Sequence, residues 1–235
     1  MLPSATGERA APARFILAPR TAGMAELADA VDSKSTGGDT VRVRVSLPAA
    51  TIRTVNFCPN CGARVVMRVP DGDHLPRHVC PACGTIHYEN PKLIAGCVPE
   101  HDGRILLCRR AIEPRRGFWT IPAGFMENGE TLQQAAAREC WEEALARVEI
   151  GGIVAIVHVL HARQVHVMFR AVLAEPSYGV GVESLDVRLC TEAEIPWPEI
   201  AFPSVAFTLG SYLKDRATGT PGLHFTTIDE RRPSR

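Results

Sequence analysis

Two CxxC-Gly units, CPNCG at 58–62 and CPACG at 80–84, constrain this 235-residue chain more than any other feature. Eighteen residues lie between Cys61 and Cys80. Four thiolates so spaced can converge tetrahedrally on one Zn²⁺, each unit supplying two sulfurs while its glycine permits the tight turn. Cys58, Cys61, Cys80 and Cys83 would fill the shell, so the metal is expected to contribute folding energy rather than chemistry. The competing reading, disulfides, belongs to exported chains, and MLPSATGERAAPARFILAPR has no unbroken apolar stretch of the secretory kind. A cytoplasmic location is therefore expected. Cys97, Cys108, Cys140 and Cys190 stand singly and read as small core hydrophobes. His74, His78 and His87 read as surface or packing residues.

Charge narrows the partners. Lys+Arg and Asp+Glu balance at 26 each, so nothing draws the whole chain to nucleic acid or an anionic membrane. No apolar run approaches the length of a membrane span. Arg64, Arg68, Arg77 and His78 add positive charge beside the cysteines, but without a row of stacking aromatics a nucleic-acid-binding module is the weaker reading.

Residues 1–54 are rich in Ala, Pro, Ser, Thr and Gly and lack sustained periodicity; only TVRVRVSL alternates like a strand. Residues 24–48 resemble the peptide made when a bacterial tRNA gene is translated by mistake. We therefore expect 1–54 to be a disordered leader from a miscalled start, with the native start near Val55. Codons 24–48 that cannot form a tRNA cloverleaf would refute this. Residues 55–91 are expected to be the ribbon and 92–235 a second domain ending in a helix and tail.

In that second domain, KLIAGCVPEHDGRILLCRRA reads as two strands joined at His101–Gly103, and FWTIPAGF as a short strand or loop stopped by Pro122. Residues 131–146 read as a helix, 148–175 as a hairpin turning near 162–164, ESLDVRLC as a strand, and 204–216 as a closing amphipathic helix. Strands surrounding helices of this length indicate a mixed α/β layer fold.

The helix gathers Glu139, Glu142 and Glu143 on one face, at i, i+3 and i+4. A solvated acidic face is the bland alternative. Against it, like charges so placed repel by roughly a few tenths of a kcal/mol per pair, and clustered hard oxygens suit Mg²⁺ or Mn²⁺ bridged to phosphates.

Gly124, five residues, Glu130, seven residues, Arg138-Glu139, then Glu142-Glu143 resembles the Nudix box, with six positions matching over 20 residues. Leu145 stands where the box closes with glycine, Cys140 suits its apolar position and Ala146 fits poorly. The resemblance implies that Glu139, Glu142 and Glu143 ligate the divalent metals and that Glu130 and Arg138 pair to orient helix and loop. It also implies that the Gly124 backbone passes close to the metals. A box glutamate or one on a later loop, such as Glu183, would take the proton of the attacking water; an isolated glutamate there otherwise reads as surface. Leu145 is expected to alter the helix exit and leave the metal site working.

Arg109, Arg110, Arg115 and Arg116 precede the box. They read either as phosphate ligands, Arg109 first, or as a solvated strand end. Phe118 and Trp119 read as base-stacking or core residues. With the cysteine ribbon, HYENPK and the segment 183–215, the chain resembles a zinc-ribbon Nudix subfamily that includes bacterial ADP-ribose pyrophosphatases and a plant chloroplast FAD pyrophosphatase. The resemblance covers roughly residues 57–232. It implies an α/β/α sandwich with a mixed sheet behind a small zinc ribbon, forming a homodimer that hydrolyses the diphosphate of a small dinucleotide such as FAD, to FMN and AMP, or ADP-ribose. Two alternatives remain: an NADH pyrophosphatase that removes NAD caps from RNA, whose Ser-Gln-Pro-Trp-Pro-Phe-Pro signature is missing after residue 146, and a ribbon that binds nucleic acid beside an inactive Nudix domain.

Overall fold

The computed structural model describes residues 55–229, so the expectations for residues 1–54 and 230–235 lie outside it. Its first unit is a three-stranded antiparallel sheet, β1 (Val66–Arg68), β2 (Arg77–Val79) and β3 (Ile86–His87). Two knuckles flank it and share one hydrogen-bond pattern. Gly62 N–H donates to Cys58 O at 2.8 Å, and Gly84 N–H donates to Cys80 O at 2.9 Å. Both glycines have positive φ, 75° and 72°, which their tight turns require.

The second unit is an eight-stranded mixed sheet built from β4 (Lys92–His101), β5 (Arg104–Arg110), β6 (Trp119–Thr120), β7 (Ala123–Phe125), β8 (Val148–Val159), β9 (Gln164–Leu173), β10 (Ser184–Cys190) and β11 (His224–Ile228). Its path runs β10-β5-β4-β9-β8-β11, with β6 on β5 and β7 on β4. β4 runs parallel to β9 and β11 parallel to β8; the other pairs are antiparallel.

Helix α1 (Leu132–Ala144) packs on one face and α2 (Pro203–Thr218) belongs to the other. Strand alternation sorts the core accordingly. Leu106 and Cys108 of β5 join Ala135, Ala136, Cys140 and Ala144 of α1. Ile105 and Leu107 join Val205, Leu209 and Leu213 of α2. The result is an α/β/α sandwich. Among the described residues no helix is long and apolar enough to cross a membrane.

Helix α1 starts at a reciprocal capping box. Thr131 Oγ1 accepts from Gln134 N–H at 3.2 Å, and Gln134 Oε1 accepts from Thr131 N–H at 2.8 Å. At its other end Leu145 adopts a left-handed conformation, φ 48°, and donates to Trp141 O at 2.9 Å. This corrects the expectation that a leucine would alter the exit: the helix takes the common left-handed C-cap, and leucine bears the strain that glycine avoids. Leu145→Gly should therefore raise stability by about 1 kcal/mol, read from the denaturant midpoint; a lower midpoint would mean that the Leu145 side chain packs favourably enough to outweigh the strain.

The last strand is absent from the sequence reading. Asp215 on α2 accepts from Gly222 N–H at 2.8 Å and pairs with His224 Nε2 at 2.8 Å and with Arg170 on β9, fastening β11 to the sheet.

Candidate active site and zinc ribbon

The four cysteine sulfurs lie within 4.8 Å of one another. Cys58 Sγ is 3.7 Å from Cys83 Sγ, and Cys61 Sγ is 3.4 Å from Cys80 Sγ. Tetrahedral zinc with bonds of about 2.3 Å needs sulfurs roughly 3.8 Å apart, so the set fits that ion. The sulfurs act on one another: the Thr85 hydroxyl contributes most to pulling the Cys83 thiol down to about 5, whereas the Cys80 and Cys83 sulfurs push Cys61 up to about 12 against the pull of the Ala63 backbone.

The second cluster is built on α1, β7 and the loop before β10. Arg138 is its hub. Its Nε and Nη2 bind Glu130 at 3.0 and 2.7 Å, and Nη2 also donates to Phe125 O at 3.1 Å. Nη1 donates to Glu139 at 2.6 Å and to Glu142 at 3.0 Å. The repulsion inferred from helical spacing is thus partly offset by an arginine one position before the acids. Glu130 in turn accepts from Glu127 N–H at 2.6 Å, closing the loop that precedes the helix.

Glu139 lies against the Gly124 backbone so closely that any Cβ on Gly124 would collide with its carboxylate. Glu143 is buried at 6% exposure, and its Oε2 has no hydrogen-bond partner among the described residues. Burial, then the Glu139 charge, pushes Glu143 well above the usual carboxylate range, against the pull of Arg110. Burial likewise pushes Glu139 up to about 7, against Arg138. Hard oxygens, one of them orphaned and buried, suit a divalent cation.

A pH effect follows. Glu139 keeps its proton to about 7 when folded but loses it near 4.5 when unfolded. The unfolded state therefore sheds protons first, and stability falls as pH rises from 4.5 through 7. In protein retaining ribbon zinc but free of added divalent salt, the melting temperature should drop across that window. Mn²⁺ should restore it increasingly as pH rises, and a flat profile would contradict the shift.

The loop before β10 is fixed to the end of α1. Gly179 N–H donates to Ala144 O at 2.7 Å and Gly181 N–H to Glu143 O at 3.1 Å. A Cβ on Gly181 would strike the Glu142 carbonyl, so only glycine fits there. This brings Glu183 to the cluster, where its charge pushes both Glu139 and Glu143 up. The glycine spacing of SYGVGVES was the available signal for this contact.

The arginines divide. Arg110, favoured less by the sequence, lies over the Phe202 ring at 5.0 Å, and its charge acts on Glu143 and Glu183. Arg109 is exposed and donates to Gly117 O at 2.8 Å, on the face of β5 opposite to α1. Arg115 covers the Phe118 ring at 5.0 Å. Trp119 is 4% exposed beneath Arg188, which makes it a core residue.

Comparison with known proteins accords with this architecture. A zinc-ribbon family model described as Nudix N-terminal matches residues 56–89, and the NUDIX domain model matches residues 91–205. A NUDIX hydrolase crystal structure from Nitrosomonas europaea is 52% identical, covering 73% of this chain and 99% of that one, with a TM-score of 0.70. The chain belongs to the Nudix hydrolase family. Among curated relatives, the NAD-capped RNA hydrolase NudC of Chromobacterium violaceum is 34% identical over 113 residues, 46% of this chain and 40% of that protein. A MutT-like protein of Streptomyces ambofaciens is 38% identical over 105 residues, 43% of this chain and 64% of that protein. The chain thus spans less than two thirds of either relative.

Proposed function

We propose that this Nudix protein hydrolyses the diphosphate linkage of a nucleoside diphosphate joined to a second moiety, with FAD or ADP-ribose as the foremost substrates. The buried, unpartnered Glu143 Oε2 beside Glu139 carries the reading, because a carboxylate costs too much to bury there without a cation to meet it. Glu139, Glu142 and Glu143 would hold Mg²⁺ or Mn²⁺, which when bound would neutralise a diphosphate and lower the pKa of a water. Arg138, anchored by Glu130 and Phe125 O, sets the Glu139 and Glu142 carboxylates before the cation arrives. Arg110, spread over Phe202 and facing the acids, is placed to take a phosphate oxygen. Glu183, held by the Gly179–Gly181 anchor, is placed to accept a proton from the attacking nucleophile.

The second reading, removal of NAD caps from RNA, is favoured by the NudC similarity. A panel of FAD, ADP-ribose, NADH and NAD-capped RNA with Mg²⁺ or Mn²⁺ separates the two. Dominant turnover of FAD or ADP-ribose supports the first, and dominant decapping replaces it with the second. No hydrolysis of any member removes both. Assembly as a homodimer, taken from the family resemblance, is checked by light scattering.

A further inference from the structure

Helix α2 begins without a local cap. Its N-cap is Phe202, whose side chain cannot accept a hydrogen bond, and Pro203 follows at the first helical position. Two long-range contacts fix the start instead. Ala201 N–H donates to Trp119 O of β6 at 2.7 Å, and the Ser204 hydroxyl meets His166 Nδ1 of β9 at 3.1 Å. Ser204 and His166 are both buried, so their bond is made in a site closed to solvent.

The histidine has one way to make these bonds. Its Nε2 lies 2.9 Å from Gln164 Oε1, an acceptor, so Nε2 carries the proton and Nδ1 accepts from the Ser204 hydroxyl. Burial lowers the pKa of the ring to about 4, which keeps it neutral and keeps Nδ1 an acceptor near neutral pH. Gln164, also buried, thus sets the ring, the ring sets Ser204, and Ser204 sets the first turn of α2. The hydrolytic reading uses none of these three side chains.

What that turn carries is Phe202, whose ring lies 5.0 Å from the Arg110 guanidinium above it. The guanidinium is otherwise held through Nε alone, which donates to Pro114 O at 2.9 Å. Among the described residues its two Nη groups have no hydrogen-bond or ion-pair partner, although the Glu143 and Glu183 charges act on it. A guanidinium so placed offers a free fork to a phosphate. We propose that Gln164, His166 and Ser204 are positioning residues for phosphate binding: they fix the start of α2, which holds Phe202 under Arg110 and so aims that fork. The inference rests on the reading of Arg110 as a phosphate ligand.

The test is calorimetric binding of α,β-methylene ADP, a diphosphate mimic that resists cleavage, to the zinc-loaded chain with Mn²⁺. Arg110→Gln should weaken it about tenfold. His166→Gln reaches toward Gln164 but leaves the Ser204 hydroxyl without its acceptor, and should weaken binding about fivefold. Ser204→Ala should do the same, and it serves where His166→Gln fails to fold. His166→Asn places an amide oxygen where Nδ1 stood and should bind within about twofold of wild type. With Arg110 already replaced, His166→Gln should weaken binding no further. Unaltered binding in His166→Gln and Ser204→Ala overturns the proposal. So does an equal loss in His166→Asn, or the same loss whether Arg110 is present or not, since each makes the network a support for the fold alone. Arg110→Gln without effect removes the phosphate reading of Arg110 and this inference with it. A wild-type chain that binds no nucleotide with Mn²⁺ removes the hydrolytic reading itself.

Discussion

Replacing Glu142 by Gln should lower kcat by about a hundredfold or more for every hydrolysable substrate, while leaving the fold intact. The side chain is 49% exposed and accepts from Arg138 Nη1 at 3.0 Å. Exposed substitutions of this kind change stability by about 0.5 kcal/mol or less, so lost activity could not be blamed on unfolding. The amide keeps the shape but removes the charge that a divalent cation requires. Metal affinity should weaken in parallel, read by Mn²⁺ titration. Activity within tenfold of wild type would remove Glu142 from the proposed metal set. Glu143→Gln would be a poorer probe, since burial already disfavours its charge and the substitution could raise stability as it removes function.

The second large effect is expected in the ribbon. Between residues 55 and 90 the buried apolar side chains other than cysteine are Pro70 and Val79, too few for a core. Structural zinc contributes about 10–16 kcal/mol in small sites of this type, far more than those two side chains can supply. Cys80→Ser, at a position with no solvent exposure, should abolish zinc binding and open residues 56–91 to protease. The sandwich has its own two-sided core and should retain a separate cooperative melt. A variant that kept its zinc and its protease resistance would defeat the four-sulfur assignment.

Local signals in the sequence served well where chemistry is local. The reading of 131–146 as a helix, on its alanines and its lack of interior Gly or Pro, overlaps α1, which runs Leu132–Ala144 behind a Thr131 cap. The turn at Asp102-Gly103 separated β4 from β5, and paired CxxC units announced the ribbon sulfurs. Long-range geometry was not legible. Adjacent β4 and β5 pair only near their turn, through Glu100 with Ile105 and His101 with Arg104, whereas β4 runs along β9 for nine residue pairs. Neither a parallel partner some 70 residues away nor the return of β11 to β8 leaves a periodic trace. The choice between Arg109 and Arg110 was hidden for a related reason. Strand alternation puts neighbours on opposite faces, but which face meets α1 is decided by the whole sheet.

The tie between α1 and the 179–183 segment decides how the molecule can open. A helix ends with carbonyls that need donors, and here the Glu143 and Ala144 carbonyls find theirs in Gly181 and Gly179. Swinging that segment outward would strand both carbonyls and unwind the last turn, displacing the acids themselves. It therefore behaves as a doorpost rather than a door. A crosslink that fastened the 179–183 segment to the helix end should leave turnover unchanged.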